Sequence, residues 1–426
     1  MYNFNDGLDF ARQMDSRDEL KGFKERFYIR KDVLYMDGNS LGLCSRDAEK
    51  YVYKALEDWK TLGIDIWTDE KANYFLYQDK LGEMMAPLIN ADPEEVTVCA
   101  STTINIHQAI ATFYHPTADR NKIIMDDINF PTDKYAVYSQ IKLHGYNPEE
   151  CLKVVKSRDG KFIYEDDIIE AMTNDVCMVL LPSALYRSSH LPDMKKLTAA
   201  AHDRGIYIGF DLCHSIGSVP HDFKDIDCDF AIWCTYKYLN GGPGSIAGLY
   251  INKKHFDMGP GLAGWQGNNK ETQFDLRQEF EHARYAGGWQ TGTQSILSMA
   301  PMEGSLKMFE EAGIKNVRKK SLTLTAYMMY LIDTKLKKYG FSYSNPTDDE
   351  KRGGHVALEH DDAIRITKAM KENKIIPDFR FPNIIRLAPV ALYVSFEDVY
   401  EMVERIIKIM ENKEYESFSA NRGVVA

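Results

Sequence analysis

Two residues suited to covalent catalysis stand directly after apolar, β-rich runs of the sequence. Lys237 lies in the stretch CTYKYLNGGPG, just after the run Phe230–Cys234, and Asp211 comes just after the run Ile206–Phe210. A lysine amine can form a Schiff base with an aldehyde, and an aspartate can keep a cationic ring nitrogen protonated. Taken singly, each has a plainer interpretation, as a surface lysine in a turn and as a helix-capping aspartate.

An anion site and an aromatic face are indicated after two earlier runs. Thr102 and Thr103 follow the run VTVC and begin the helical pattern INIHQAIATF, and the free N–H groups at such a helix start favour an anion. In DDINFPTD, which follows KIIM, Phe130 offers a flat ring and Asp133 a polar anchor. An ordinary helix N-cap explains the threonines equally well when they are considered alone.

These features follow one another in an order that fits one cofactor, pyridoxal 5′-phosphate. Its phosphate needs a helix N-terminus, its ring a stacking partner, its pyridinium nitrogen an aspartate and its aldehyde a lysine. One strand separates Asp211 from Lys237, so two strand ends can reach opposite sides of one ring. Each feature alone is a weak signal, but the ordered set predicts a pyridoxal-phosphate site.

The elements that position these side chains are predicted from short apolar runs that alternate with helical segments. The runs are Val96–Cys99, Lys122–Met125, Leu152–Val155, Val176–Leu181, Ile206–Phe210, Phe230–Cys234 and Ile246–Ile251, with a helix over Asp193–His202 among them. This alternation predicts an α/β fold with an open, mostly parallel sheet, in which ligands bind beyond the carboxyl ends of the strands. The charged, helix-rich part after Gly313, with a strand at Ile384–Leu387, predicts a smaller second lobe that the N-terminal segment joins.

The composition argues against several other classes of protein. The chain has 426 residues, 44% of them hydrophobic, and its net charge of −11 without a basic stripe argues against a nucleic-acid partner. No apolar run approaches the length of about 18 residues that a membrane span needs. The His and Cys spacings form no metal-ligand pattern, so no metal is expected. The seven cysteines are scattered, which predicts buried, reduced thiols and a cytoplasmic protein.

The sequence also resembles the kynureninase family of fold-type I pyridoxal-phosphate enzymes. The resemblance rests on MDGNSLG at Met36–Gly42, NFPTD, FDLCHSIG and DFAIWCTYKYLNGGPG, with AGWQG, GTQSIL and IIRLAPVALYVSFEDV further along. It implies a large domain with a mostly parallel seven-stranded sheet and a smaller α+β domain. We therefore expect residues 1–62 to join the small domain, residues 63–312 to form the large cofactor-binding domain, and residues 313–426 to form the small C-terminal domain.

The resemblance implies a role for each matching position. Lys237 is expected to be the Schiff-base lysine and Asp211 the partner of the ring nitrogen, both catalytic together with Tyr236 as an acid–base group. The other expected cofactor-binding residues are Thr102, Thr103, Phe130, Asp133 and His214, with Trp265 and Thr293 reaching the cofactor from the neighbouring subunit of a homodimer. The expected substrate-binding residues are Arg386, which suits a carboxylate, Asn39 and Asn268.

Several positions depart from the family pattern, and most of them fall where the side chain of the substrate is expected. Asn268 stands in GWQGN where the family usually has His, and the stretch LGIDIW at Leu62–Trp67 lacks a His that is often found there. Leu185 and Val394 replace common polar residues, and Pro182 replaces a Ser or Thr that usually contacts the cofactor. The cofactor-binding residues are thus retained, while recognition of the aryl ring is left open.

The function that the resemblance favours is a hydrolase reaction of tryptophan catabolism. It is the cleavage of the Cβ–Cγ bond of L-kynurenine or a related γ-keto L-amino acid, giving anthranilate or an analogous acid and L-alanine. Two alternatives stay open, a pyridoxal-phosphate lyase acting on a different β-substituted L-amino acid and a non-catalytic cofactor-binding protein on the same fold. No cysteine follows Cys234, which disfavours a persulfide mechanism, and the presence of Lys237, Asp211 and Arg386 disfavours a non-catalytic protein.

Overall fold

The chain, described from residue 2 to residue 421 by a computed structural model, folds into helices packed on both faces of a large sheet. The α-helices are α1 Leu8–Ser16, α2 Arg46–Leu62, α3 Tyr77–Ile89, α4 Thr102–Phe113, α5 Pro131–Leu143, α6 Pro148–Cys151, α7 Glu165–Ala171, α8 Met194–His202, α9 Phe223–Ile226, α10 Ile296–Ala312, α11 Ile314–Leu331, α12 Ala363–Glu372 and α13 Phe396–Glu411. The strands are β1 Leu34–Tyr35, β2 Val96–Val98, β3 Lys122–Asp126, β4 Leu152–Val155, β5 Val176–Pro182, β6 Tyr207–Asp211, β7 Phe230–Trp233, β8 Gly248–Ile251, β9 Ser342–Tyr343, β10 Val356–Glu359, β11 Ile375–Ile376, β12 Asp378–Arg380 and β13 Ile384–Leu387.

A seven-stranded sheet forms the centre of the molecule and confirms the predicted α/β fold. Its strand order is β2-β8-β7-β6-β5-β3-β4, and β8 runs antiparallel to its neighbours β2 and β7. The remaining neighbours pair in parallel. Each predicted apolar run is a strand, with small shifts at the ends. Because the parallel strands point the same way, the segments that follow β3, β5, β6 and β7 meet at one edge of the sheet.

Alternate residues of the central strands face two separate layers of buried apolar side chains. On β5, Met178 and Leu180 pack into the layer that includes α4 and α5, whereas Val179 and Leu181 pack into the larger core on the opposite face. Successive side chains of a strand point to opposite faces, so a strand covered on both sides must be apolar throughout. This double burial explains why the strands are visible in the sequence as continuous apolar runs.

A four-stranded antiparallel sheet in the order β12-β13-β10-β9 lies in the C-terminal lobe. Of these strands, only β13 was predicted from the sequence. Strands β9 and β12 are too short to show an alternating pattern. Strand β10 has the sequence VALE, in which Ala, Leu and Glu favour a helix, and pairing with β13 overrides that preference.

The N-terminal segment packs against the C-terminal lobe. Helix α1 contacts α13, and β1 pairs in parallel with β11. The carboxylate of Asp15 accepts hydrogen bonds from Phe396 N at 2.7 Å and from Glu397 N at 2.9 Å. These N–H groups lie in the first turn of α13 and have no acceptor within the helix, so Asp15 satisfies them and ties the two ends of the chain together.

The structure of the described residues can be compared with the expectations about membrane spans, metal sites and cysteines. No helix among residues 2–421 combines the length and apolarity that crossing a membrane requires. In the same part of the chain, no group of three or more His, Cys, Asp or Glu side chains is placed to hold a metal ion. All seven cysteines are free thiols, and all are buried except Cys44, which is exposed. Cys177 lies within β5, and Cys99 and Cys234 directly follow β2 and β7.

Candidate active site

The loop that carries Lys237 is fixed against the segment MDGNSLG from the N-terminal part of the chain. It follows β7, and Asn240 N donates a hydrogen bond to Lys237 O at 2.9 Å. Gly42 N donates to Tyr236 O at 2.7 Å, and a Cβ atom on Gly42 would lie 2.4 Å from Lys237 O. Position 42 therefore needs glycine, because only a residue without a side chain can approach the lysine loop so closely.

Lys237 directs its amino group toward His214 and Phe130. Its Nζ lies 3.0 Å from Nε2 of His214 and 5.8 Å from the centre of the Phe130 ring. Burial, and then the positive charge of Lys237, hold the pKa of His214 well below its ordinary value, so the imidazole is neutral and accepts the hydrogen bond. Burial lowers the pKa of Lys237, but two neighbouring cysteines and Asp211 raise it by more, so the pKa lies above its ordinary value overall.

Two buried carboxyl groups, Asp133 and Asp211, meet close to Lys237. Asp211 ends β6, and its Oδ1 accepts a hydrogen bond from Cys213 N at 2.7 Å. Asp133 lies in the first turn of α5 and is fully buried, and among residues 2–421 neither of its carboxyl oxygens has a hydrogen-bond partner. Burial raises the pKa of both groups, and repulsion from Asp211 raises that of Asp133 further, whereas Lys237 lowers that of Asp211. Asp133 therefore favours its neutral, protonated form more strongly than Asp211 does, because Lys237 acts in favour of the charged form of Asp211.

The N-termini of α4 and α5 meet beside this pair of carboxyl groups. The hydroxyl oxygens of Thr103 on α4 and Thr132 on α5 are 2.9 Å apart. The hydroxyl oxygen of Thr102 lies 3.9 Å from the Sγ of Cys213, two residues beyond Asp211. The first N–H groups of a helix have no acceptor within the helix, and the helix dipole favours negative charge there. This arrangement fits an anionic group such as a phosphate.

Tyr236 precedes the lysine and keeps its phenol protonated. The side chain is only partly buried. The negative potential of Cys234, followed by burial, raises the pKa of Tyr236 above its ordinary value. A protonated phenol donates to a phosphate oxygen, and it can pass a proton to a neighbouring group. Tyr236 thus has the protonation state that both of its expected roles require.

Unpaired buried polar atoms mark where a ligand fits into this site. Among residues 2–421 they include Nδ1 of His214 and both amide atoms of Asn39. Folded proteins rarely leave such groups without partners. With the amine of Lys237, the ring of Phe130 and the negative charge of Asp211 close by, these groups match a planar, cationic ring that carries an aldehyde and a phosphate. The residues present therefore fit pyridoxal 5′-phosphate.

Arg386, which is expected to bind the substrate carboxylate, lies at one end of the site. It lies on β13, is buried, and pairs with Asp378. Its Nη1 donates to Tyr186 O at 2.9 Å and its Nη2 donates to the hydroxyl of Ser40 at 3.0 Å. Burial lowers the pKa of Arg386, but a guanidinium stays charged at any physiological pH. Asn39 adjoins Ser40, so the two expected substrate-binding residues Arg386 and Asn39 come together here.

Tyr186 and His355 belong to this site but were not identified from the sequence. The Tyr186 ring stands edge-on to Phe130 with ring centres 5.5 Å apart, and the His355 ring stands edge-on to His214 with centres 6.2 Å apart. Tyr186 follows the carboxyl end of β5, so the rule that identified Asp211 would have identified it as well. His355 precedes β10 and reaches the site through the packing of the lobes, for which the sequence carries no signal.

Trp265 and Thr293 line a groove of about 470 Å³ that is built from other residues than the site around Lys237. The groove is also lined by Ile64, Asp65, Trp67, Thr68, Phe75, Gln266 and Phe274. The Trp265 ring is 42% exposed and stands edge-on to Phe274, with ring centres 5.8 Å apart. Asn268 lies three residues after Trp265, and its Oδ1 accepts a hydrogen bond from Asn269 N at 3.0 Å. Within one chain, Trp265, Thr293 and Asn268 therefore lie apart from the residues around Lys237.

Comparison with known proteins gives full-length relatives of this sequence. A sequence profile described as the kynureninase C-terminal domain matches residues 317–406. The kynureninase of Geobacillus thermodenitrificans is 54% identical over 419 residues, which cover 98% of both chains. The kynureninase of Bacillus thuringiensis subsp. konkukian is 56% identical over 423 residues, which cover 99% of both chains.

Solved structures share the fold at low sequence identity. The cysteine desulfurase of Thermococcus onnurineus NA1 superposes with a TM-score of 0.78 at 15% identity, over 92% of this chain and 98% of that chain. The cystine C–S lyase C-DES, in complex with its reaction product cysteine persulfide, gives a TM-score of 0.75 at 15% identity, over 88% of this chain and 98% of that chain. This level of similarity establishes the shared architecture.

Proposed function

The chain belongs to the kynureninase family, and on that premise we propose that it is a pyridoxal-phosphate-dependent hydrolase that cleaves L-kynurenine to anthranilate and L-alanine. One observation carries the proposal, the identity of 51–56% over nearly the full length with curated kynureninases. The presence of Lys237, Asp211 and Arg386 supports it, because binding of the cofactor and of the substrate carboxylate depends on these groups.

Each residue near Lys237 has a proposed task that its contacts support. When bound, the cofactor supplies an electron sink for negative charge that develops on the substrate. Lys237 attaches to the cofactor aldehyde and moves the proton at the α-carbon, while Asp211 holds the proton of the ring nitrogen and Arg386 orients the α-carboxylate with Asn39. The remaining proposed cofactor contacts are Phe130 on the ring face, His214 beside the ring, Asp133 behind Asp211, and Thr102, Thr103 and Tyr236 at the phosphate.

We also propose a homodimer with shared active sites, in which Trp265 and Thr293 of each subunit reach the cofactor of the other. The groove around Trp265 supports this, because it exposes large apolar side chains, including Ile64 at 78% and Phe274 at 67%. Exposed apolar patches of this kind mark protein–protein interfaces. A cytoplasmic location is a further proposal, supported by the free, mostly buried thiols.

A product assay tests the proposed function. We expect the purified protein, loaded with pyridoxal 5′-phosphate, to convert L-kynurenine into equal amounts of anthranilate and L-alanine, because hydrolysis of one Cβ–Cγ bond releases one of each. The panel includes a ring-hydroxylated kynurenine and several β-substituted L-amino acids, since the departures at Asn268 and in the stretch Leu62–Trp67 bear on the choice of substrate. Turnover of a β-substituted amino acid without any anthranilate from L-kynurenine would favour the lyase alternative.

Hybrid dimers test the shared site. We expect Lys237→Ala and Trp265→Ala homodimers each to be nearly inactive. After subunit exchange at equal amounts, about half of the dimers are hybrids with one intact site each, so about a quarter of wild-type activity returns. A mixture no more active than the mean of its two parents would mean that each site is built from one chain. Light scattering on the same samples checks that the active species is a dimer.

A further inference from the structure

Tyr186 and Arg187, which follow β5, are held in place by two side chains of the C-terminal lobe. Arg386 Nη1 donates to Tyr186 O at 2.9 Å, and His355 Nε2 donates to Arg187 O at 3.2 Å. Both donors are buried. Two consecutive carbonyl groups are thus satisfied by the strands and turns that carry the carboxylate-binding arginine, so the backbone of Tyr186 keeps a constant position relative to Arg386.

The Tyr186 ring lies on the other side of the site, among the groups around Lys237. Its centre is 5.5 Å from that of Phe130 at an interplanar angle of 87°, and 6.3 Å from that of His214 at 42°. The same two rings are the neighbours of the Lys237 amine. Tyr186 therefore contacts both the residue proposed for the α-carboxylate and the residues proposed for the cofactor.

The Tyr186 hydroxyl is free to bind a ligand. Among residues 2–421 the Tyr186 hydroxyl has no hydrogen-bond partner, and it is not fully buried. The side chain as a whole is only partly buried. A tyrosine that packs its ring in a site and leaves its hydroxyl unpaired offers a single directed donor there.

The γ-carbonyl oxygen of the substrate is an acceptor for such a donor. With its α-carboxylate on Arg386 and its α-carbon at Lys237, a γ-keto amino acid extends its carbonyl from the space between them, which Tyr186 borders. We propose that the Tyr186 hydroxyl donates a hydrogen bond to the γ-carbonyl oxygen of the substrate. This role rests on the proposed function, since only a γ-keto substrate offers that oxygen.

The hydrogen bond acts on the step that breaks the carbon–carbon bond. Water adds to Cγ and gives up one proton while the carbonyl oxygen takes up negative charge; the electron pair of the Cβ–Cγ bond then passes to Cβ, which takes up a proton, and Cγ leaves as a carboxyl group. A donor aimed at the oxygen stabilises the charge that develops when water adds. Removal of one such donor costs about 100-fold in rate.

The variant Tyr186→Phe tests this role, because it keeps the ring on Phe130 and His214 and removes only the hydroxyl. We expect kcat/KM for L-kynurenine to fall about 100-fold. The cofactor dissociation constant, the cofactor absorption spectrum and the affinity for L-alanine, which has no γ-carbonyl, should stay at their wild-type values. The matched control is Tyr135→Phe, the same change at a 67% exposed position of α5, which should behave as wild type throughout.

Each of the other possible results would contradict a different part of the proposal. Wild-type kcat/KM in Tyr186→Phe would exclude the hydroxyl from the reaction. A loss shared by cofactor binding, L-alanine affinity and kcat/KM would assign Tyr186 a structural role in place of a substrate contact. A wild-type protein that fails to cleave L-kynurenine would overturn the proposed function itself, and this role with it.

Discussion

The Lys237→Ala variant is expected to lose cleavage of L-kynurenine by roughly 10⁴-fold or more, because the change removes both the amine that attaches to the cofactor and the group that moves the α-proton. The position of the amine supports this expectation. Lys237 Nζ lies between His214 and Phe130, and within residues 2–421 no lysine or arginine side chain other than Lys237 forms a hydrogen bond with His214. No neighbouring amine therefore stands ready to replace it.

Covalent trapping tests, independently of turnover, whether Lys237 is the residue that attaches to the cofactor. Borohydride reduction of the wild-type protein should fix the cofactor to the peptide that contains Lys237, as read by mass spectrometry. The control is Lys195→Ala, which removes a surface lysine that forms an ion pair with Asp225, and both of these side chains are exposed. In this variant borohydride should still fix the cofactor to Lys237. Cofactor still bound covalently in Lys237→Ala would show that another residue is the attachment site.

The Asp211→Asn variant is expected to bind the cofactor but to lose turnover by about 10³-fold. An amide of the same shape cannot hold the ring nitrogen protonated, so negative charge on the substrate loses its sink. Lys237 acts against burial to favour the charged form of Asp211, and the change removes the charge that a cationic ring needs, while the amide oxygen can still accept the hydrogen bond from Cys213 N. Turnover and the cofactor absorption spectrum are the measurements.

Asp133→Asn is the matched control for this prediction. Burial and repulsion from Asp211 raise the pKa of Asp133 well above its ordinary value and favour its neutral form, so a neutral amide changes little there and the loss of turnover should be far smaller than in Asp211→Asn. If the two variants lost activity equally, or Asp133→Asn lost more, the negative charge would have been assigned to the wrong carboxyl group.

Burial on two faces made the large sheet predictable. Strands such as β5 and β7 are covered by helices or apolar layers on both sides, so every residue must be apolar and the run stands out in the sequence. The shared direction of parallel strands predicts from the sequence alone that Asp211 and Lys237 lie at one edge of the sheet. The short strands β9 and β12 carry no such signal, because two or three residues show no period. The domain bounds expected from the resemblance and the tasks of individual site residues stay predictions.

The sequence by itself determined which side chains stand at the carboxyl edge of the sheet and which chemistry they offer, because strand direction and side-chain type are local properties. Only the tertiary structure decided that Asp133 and Asp211 are buried close together with raised pKa values, since these depend on burial and on charges that lie far away in the sequence. Only the tertiary structure brought Arg386 onto the carbonyl of Tyr186 and His355 onto His214, because these contacts form where the two lobes pack together and no local pattern encodes that packing.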